Sequence, residues 1–128
     1  MHSARFRCPG CRGETLRVIA ALELGPDDDN DEQQIQALTC DSCGFVGAGV
    51  YQESRRGAGE GVHHWGIALP PSTYIGLAAA LAACTHPDSP ACDCGAHRRF
   101  GARGDDGRRR PLALLEVDGP SFSLVLRR

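Results

Sequence analysis

The chain has 128 residues, a net charge of −2, 41% hydrophobic and 5% aromatic content, which suits one compact domain or two very small ones with a modest core. No apolar run reaches the length of a membrane span, so a soluble protein without a membrane partner is expected. The charge total argues against a general polyanion binder, and arginine supplies every basic side chain, so basic residues are weighed by position rather than by number.

The first segment carries Cys8-Pro9-Gly10-Cys11 and Cys40-Asp41-Ser42-Cys43. Two residues between paired cysteines let the backbone turn and aim both sulfurs at one ion, so the four thiols predict a tetrahedral zinc site, with Gly10 and Gly44 easing the turns. Seven cysteines is an odd number and no leader-like run precedes Cys8, so a reducing, cytoplasmic setting is expected rather than disulfides. A redox dithiol at Cys8/Cys11 lacks the helix that such a motif needs after it. Leu16, Val18, Ala20, Leu22 and Leu24 alternate with Arg17, Ile19, Ala21 and Glu23 as in a half-buried strand. Ile35 to Thr39 and Phe45 to Tyr51 supply two more strands, leaving Gly25 to Gln34 as an exposed hairpin tip crowded with Asp27, Asp28, Asp29, Asp31 and Glu32.

This arrangement resembles the zinc-ribbon family over roughly residues 5 to 53, with Cys43-Gly44-Phe45 closing the second knuckle. The resemblance implies a three-stranded antiparallel ribbon around one zinc ion. Transcript-cleavage factors look similar in placing acidic residues at a ribbon tip, although their Arg-Ser-Ala-Asp-Glu run is absent here. Antitoxin-type ribbons look similar in their Cys-Pro-x-Cys and later Cys-x-x-Cys-Gly, but they are followed by a helix-turn-helix, whereas this chain offers one clear helix.

Ser54 to Gly61 reads as a linker, which sets a boundary between a ribbon at 1–57 and a second module at 58–128, or a flexible connection inside one continuous domain. Gly57, Gly59 and Gly61 lack the Lys-Ser/Thr of a phosphate loop. Val62 to Leu69 predicts a strand bearing His63, His64 and Trp65, with the two histidines on opposite faces. After Pro70-Pro71, Ser72 is expected to cap a helix running to about Ala83, apolar enough around its circumference to be packed on more than one side. Leu112 to Asp118 and Ser121 to Leu126 predict a hairpin about Gly119-Pro120 that packs on this helix. The fold class is therefore α+β, a zinc ribbon followed by one buried helix and a C-terminal β-hairpin.

Cys84, His86, Cys92, Cys94 and His97 place five candidate ligands in a short loop, and any four would complete a second zinc site. The loop leads into Arg98, Arg99, Arg103, Arg108, Arg109 and Arg110, opposed locally by Asp105 and Asp106. A four-cysteine cage leaves zinc no open position, and no hydrolase, deaminase, zinc-protease or Walker motif is present, so catalysis is not expected. The leading expectation is a zinc-binding adaptor or regulator that docks on a protein or nucleoprotein partner. Asp27, Asp28 and Asp29 would present one surface and the arginines a second, phosphate-compatible one. Two alternatives remain: direct RNA or DNA binding through Arg98 to Arg110 with Trp65, and a small metalloenzyme using the Cys84 to His97 cluster.

Overall fold

The computed structural model describes residues 5–54 and 61–124 and has an α+β fold. Its strands are β1 (Leu16–Pro26), β2 (Asp31–Cys40), β3 (Val46–Ser54), β4 (Gly61–Ala68) and β5 (Ser121–Ser123), joined in one antiparallel sheet in chain order. Helix α1 (Pro71–Ala82), the short helix α2 (Gly95–Phe100) and a 3-10 turn at Pro111–Leu115 complete it. The first three strands are thus part of a larger sheet: β4 pairs with β3 from Gly47↔Ala68 to Ser54↔Gly61. The expected boundary at 57/58 and most of the expected linker lie outside the described residues.

Strand β1 does not keep one face. Register shifts between Val18 and Ala20 and between Glu23 and Gly25 mark bulges, and an extra residue in a strand reverses the side on which the following side chains emerge. Leu16 and Val18 consequently join Phe6, Leu38, Phe45, Phe122 and Leu124 in a small cluster around Cys8 and Cys40. Ala20, Leu22 and Leu24 turn instead into the main core with Ile35, Ala37, Ala48 and Ile67. The simple alternation read from sequence therefore splits between two cores, and exposed Ile19 sits at the switch.

The main core is closed by Leu77 and Leu81 of α1, Phe100 of α2 and Leu115 of the 3-10 turn. Burial of such side chains contributes about 1.5–3 kcal/mol each, so all three connections hold the sheet's covered face. Helix α1 is one-sided: Ile75 is 66% exposed, against the expectation of packing all round. Its N-cap is Pro70 with Pro71 in the first turn, and no side chain caps it, so Ser72 is inside the helix rather than at its cap. Proline fits there because the first turn has no use for its missing N–H. The expected C-terminal hairpin is also corrected. Pro111–Leu115 coils as a 3-10 turn, and β5 pairs with β4 through Trp65↔Ser123, Gly66↔Phe122 and Ile67↔Ser121.

Candidate metal centres

The two knuckles of the first cluster have matching backbones. Cys8 N–H donates to the Gly13 carbonyl at 2.8 Å and Cys40 N–H to the Phe45 carbonyl at 2.9 Å, while Arg12 and Gly44 N–H groups return to the carbonyls of Cys8 and Cys40. Each loop leaves through a left-handed residue, Arg12 (φ 70°) or Gly44 (φ 79°). Amide hydrogens of Gly10 and Ser42 point at the sulfurs of Cys8 and Cys40, both at 3.3 Å. Gly10 does not use a left-handed conformation; a Cβ there would lie 3.3 Å from the Cys43 sulfur, so its role is close approach to the thiol cluster.

Cys8, Cys11, Cys40 and Cys43 bring their sulfurs within 4.8 Å of one another, with Cys8–Cys43 at 3.6 Å and Cys11–Cys40 at 3.7 Å. A tetrahedral ion bound at about 2.3 Å from each thiolate needs sulfur–sulfur edges of about 3.8 Å. The cluster therefore fits a metal ion, and its spacing is far from that of a disulfide. Thr15, which the sequence reading did not single out, places its hydroxyl 3.0 Å from the Cys40 sulfur.

The second group is Cys84, Cys92, Cys94 and His97, again with ligand atoms within 4.8 Å of one another. Cys84 follows α1, Cys94 caps α2, and His97 is in that helix's first turn. His97 Nδ1 lies 3.4 Å from the Cys84 sulfur and 3.1 Å from that of Cys94, and Cys84–Cys92 is 3.7 Å. Its Nε2 lies 3.1 Å from the Glu23 carbonyl on β1. Donation to that carbonyl fixes the tautomer with the Nδ1 lone pair facing the thiols, the outer-shell arrangement that metal-bound histidines require. His86 is not in the group: its side chain is exposed and meets Thr85, though its amide donates to the Cys84 sulfur at 3.4 Å. The Glu23 N–H also donates to the Pro87 carbonyl at 2.9 Å. The second cluster thereby pins its loop against the outer edge of β1, as the Phe6–Leu16 bridge pins the first at the strand's other end.

Both clusters mix thiols of opposite tendency. Burial pushes Cys8 up to about 12, whereas Cys11 is lowered by the Gly13 amide and the Thr15 hydroxyl. Burial also raises Cys40, but the Thr15 hydroxyl and the amides of Cys43 and Ser42 outweigh it and bring the thiol down to about 6. In the second group burial pushes Cys84 up to about 11, and the backbone N–H of His97, which donates to the Cys94 sulfur at 3.3 Å, leads in drawing Cys94 down to about 6. Four thiolates repel one another, so a cation must displace protons from the buried members as it enters.

The acidic and arginine-rich segments expected to form two separate surfaces meet each other. The β1–β2 turn is short, Asp27 to Asn30, because the strands run farther than the sequence pattern implied. Asp27 is 7% exposed and accepts from the amides of Asp29, Asp31 and Arg109 at 3.0, 3.1 and 3.1 Å. Arg109, 5% exposed, reaches the Gly25 carbonyl at 2.7 Å. Arg103 pairs with Asp28 at 2.8 Å and Arg108 with Asp29 at 3.0 Å. Arg110 binds Asp106, Arg98 binds Asp93, and Arg99 lies over the Phe100 ring at 4.8 Å. His63 is exposed, and Trp65 is half-buried on the covered face of the sheet. His64, on the other face, packs edge-on against Phe6 and Tyr51 and bonds Gln36 at 2.8 Å.

No protein-family model, curated protein or solved structure matches the chain. Its function is therefore argued from these sites. Among the described residues, no helix is long and apolar enough to cross a membrane.

Proposed function

We propose that this is a non-enzymatic zinc-binding adaptor or regulatory protein, in which two zinc ions hold a sheet surface rigid for docking on a protein or nucleoprotein partner. The first cluster and the β1–β2 hairpin act together as a zinc ribbon. The observation that carries this reading is that each cluster offers four soft or borderline ligand atoms within 4.8 Å of one another. Such a set fills the coordination of zinc and leaves no place for substrate. Zinc supplies charge neutralisation and cross-linking here. Cys84, Cys92, Cys94 and His97 tie the 84–101 segment to β1, and the first four cysteines tie the two ends of the β1–β2 hairpin together.

Protein docking is favoured over a phosphate-tracking surface because the arginines are interleaved with Asp28, Asp29, Asp93 and Asp106. A cytoplasmic setting suits free thiols that must stay reduced to bind metal. Cobalt substitution tests the reading. Two closed tetrahedral centres give intense visible absorption that is insensitive to added cyanide or azide, whereas a five-coordinate centre or one that takes up the added anion would make the protein a metalloenzyme candidate.

A further inference from the structure

Two adjoining hollows border the first cysteine cluster. One, of about 310 Å³, is walled by Pro9, Phe45, Ala68, Pro120 and Phe122. The other, of about 240 Å³, shares Pro9 and Phe122 with it and is reached by Arg7 and Arg12. Phe45 and Phe122 meet edge to face with ring centroids 5.7 Å apart. Both rings lie close on the sheet because glycine stands beneath them: a Cβ at Gly47 would come within 3.1 Å of the Phe45 ring, and one at Gly66 within 3.0 Å of the Phe122 ring. Pro9 is inside the first knuckle and Phe45 follows the second, so an ion held by the four cysteines would fix the groove's shape.

Arg7 and Arg12 give this groove one charged end. Both are exposed, and among the described residues neither side chain has a hydrogen bond, ion pair or ring contact. The neighbouring Arg5 and Arg17 share Asp41 instead. The cluster's sulfurs take hydrogen bonds from the amides of Gly10, Ser42 and Cys43, and neither guanidinium reaches them. Arg12 also holds φ at 70°, in the place where the matching second knuckle has Gly44 at 79°. A side chain is strained in that region and glycine is not. Strain held at one residue of a rigid loop points to a use for its side chain.

An apolar hollow continued by two uncommitted guanidinium groups calls for an occupant with a bulky apolar anchor and an anion beside it. A base stacks on a flat ring face, whereas Phe45 and Phe122 stand at 79° to each other and, with two prolines, form a corner suited to a side chain. Taking the chain as the zinc-built docking protein argued above, we propose that this groove docks an acidic segment of a partner protein. A Phe, Trp, Tyr or Leu of the partner enters the hollow beside Phe45 and Pro120, and a nearby Asp or Glu carboxylate meets Arg7 and Arg12. Asp118 borders only the apolar hollow, so it repels the acidic end there and sets the direction of the segment.

Random twelve-residue peptides displayed on phage are panned against the zinc-loaded protein, and an enriched sequence is labelled and titrated by fluorescence anisotropy. Enrichment of an aromatic residue or leucine within a few positions of Asp or Glu is expected. Arg7→Ser combined with Arg12→Gly should weaken the labelled peptide roughly tenfold, as two lost ion pairs imply, and Ala68→Gln, which fills the apolar hollow, should do the same. All three positions are exposed, and Arg12→Gly relieves a left-handed residue, so circular dichroism and metal content should not change. No enriched sequence, enrichment of basic peptides, or equal binding to the variants would overturn the inference. Tighter binding of decauridine RNA than of the peptide, lost in the arginine variant, would also overturn it by making the groove a nucleic-acid site. Any of these results with two closed zinc centres in place removes the groove alone, whereas missing or open centres remove the reading on which it rests.

Discussion

Replacing His97 separates its two jobs. In His97→Ala the second centre keeps three thiols and loses both its imidazole and the contact to the Glu23 carbonyl. A structural zinc ion contributes about 10–16 kcal/mol of apparent folding free energy, so losing one ligand of four removes about 3 kcal/mol even if the ion stays. The hydrogen bond to β1 adds about 0.5–1.5 kcal/mol. Because Cys84 and Phe100 belong to the main core, the sum of about 4 kcal/mol falls on the whole fold and lowers the unfolding temperature by on the order of 10 °C. In His97→Cys four ligands remain and only the outer-shell bond is lost, so the expected cost is about 1 kcal/mol and roughly 10–100-fold in metal affinity. Native mass spectrometry counts the ions, calorimetry gives the midpoint, and hydrogen exchange at Glu23, whose N–H is held by Pro87, reports release of the β1 edge. His97→Ala that retains two tightly held ions, an unchanged midpoint and a protected Glu23 amide would refute the assignment of His97 as both ligand and clamp.

Three further expectations follow from the geometry. A Cβ at Gly107, where φ is +79°, would collide with the Asp28 carboxylate; Gly107→Ala should therefore cost roughly 1–3 kcal/mol by lifting the arginine loop from the hairpin turn. An unchanged urea midpoint would remove that contact from the account. Arg12 pays for a left-handed conformation at φ 70°, so Arg12→Gly should stabilise the metal-loaded protein by about 0.5 kcal/mol after the entropy of glycine is offset, seen as a small rise in the thermal midpoint. His64 is depressed by burial from 6.5 to about 4. The unfolded chain therefore binds the extra proton first as pH falls from 6.5 toward 4, and the stability contributed by neutral His64 is progressively lost across that interval. NMR titration of its ring should give a midpoint near 4, and a value at or above 6.5 would show that the ring is not held among Phe6, Tyr51 and Gln36.

The candidate metal ligands were the most legible part of the sequence because their chemistry is local. Spacing alone marked Cys8, Cys11, Cys40 and Cys43, and ligand density marked the 84–97 loop. Choosing His97 over His86 required the Glu23 carbonyl, which comes from a strand far away in the chain. Strand positions in β1 were readable, but the bulge at Ile19 was not, since an extra residue leaves no distinctive side-chain signal and yet decides which core Leu16 and Leu22 enter. Charge runs misled for a similar reason. Asp27 and Arg109 look like solvated residues in sequence, and only long-range folding lets the backbone satisfy the first and the Gly25 carbonyl hold the second. The last segment shows tertiary context overriding pattern: Phe122 alternates as a hairpin strand would, but its partner is β4, while Leu112 to Leu115 coils to cover the core.

In the proposed reading, two closed metal centres build this fold. Native mass spectrometry of protein purified under reducing conditions without added metal, with the metal then identified after denaturation, tests it most directly. Two zinc ions per chain are expected, one lost on replacing Cys40 and the other on replacing Cys94. A folded chain carrying no ion, or one ion lost equally by either replacement, would contradict it.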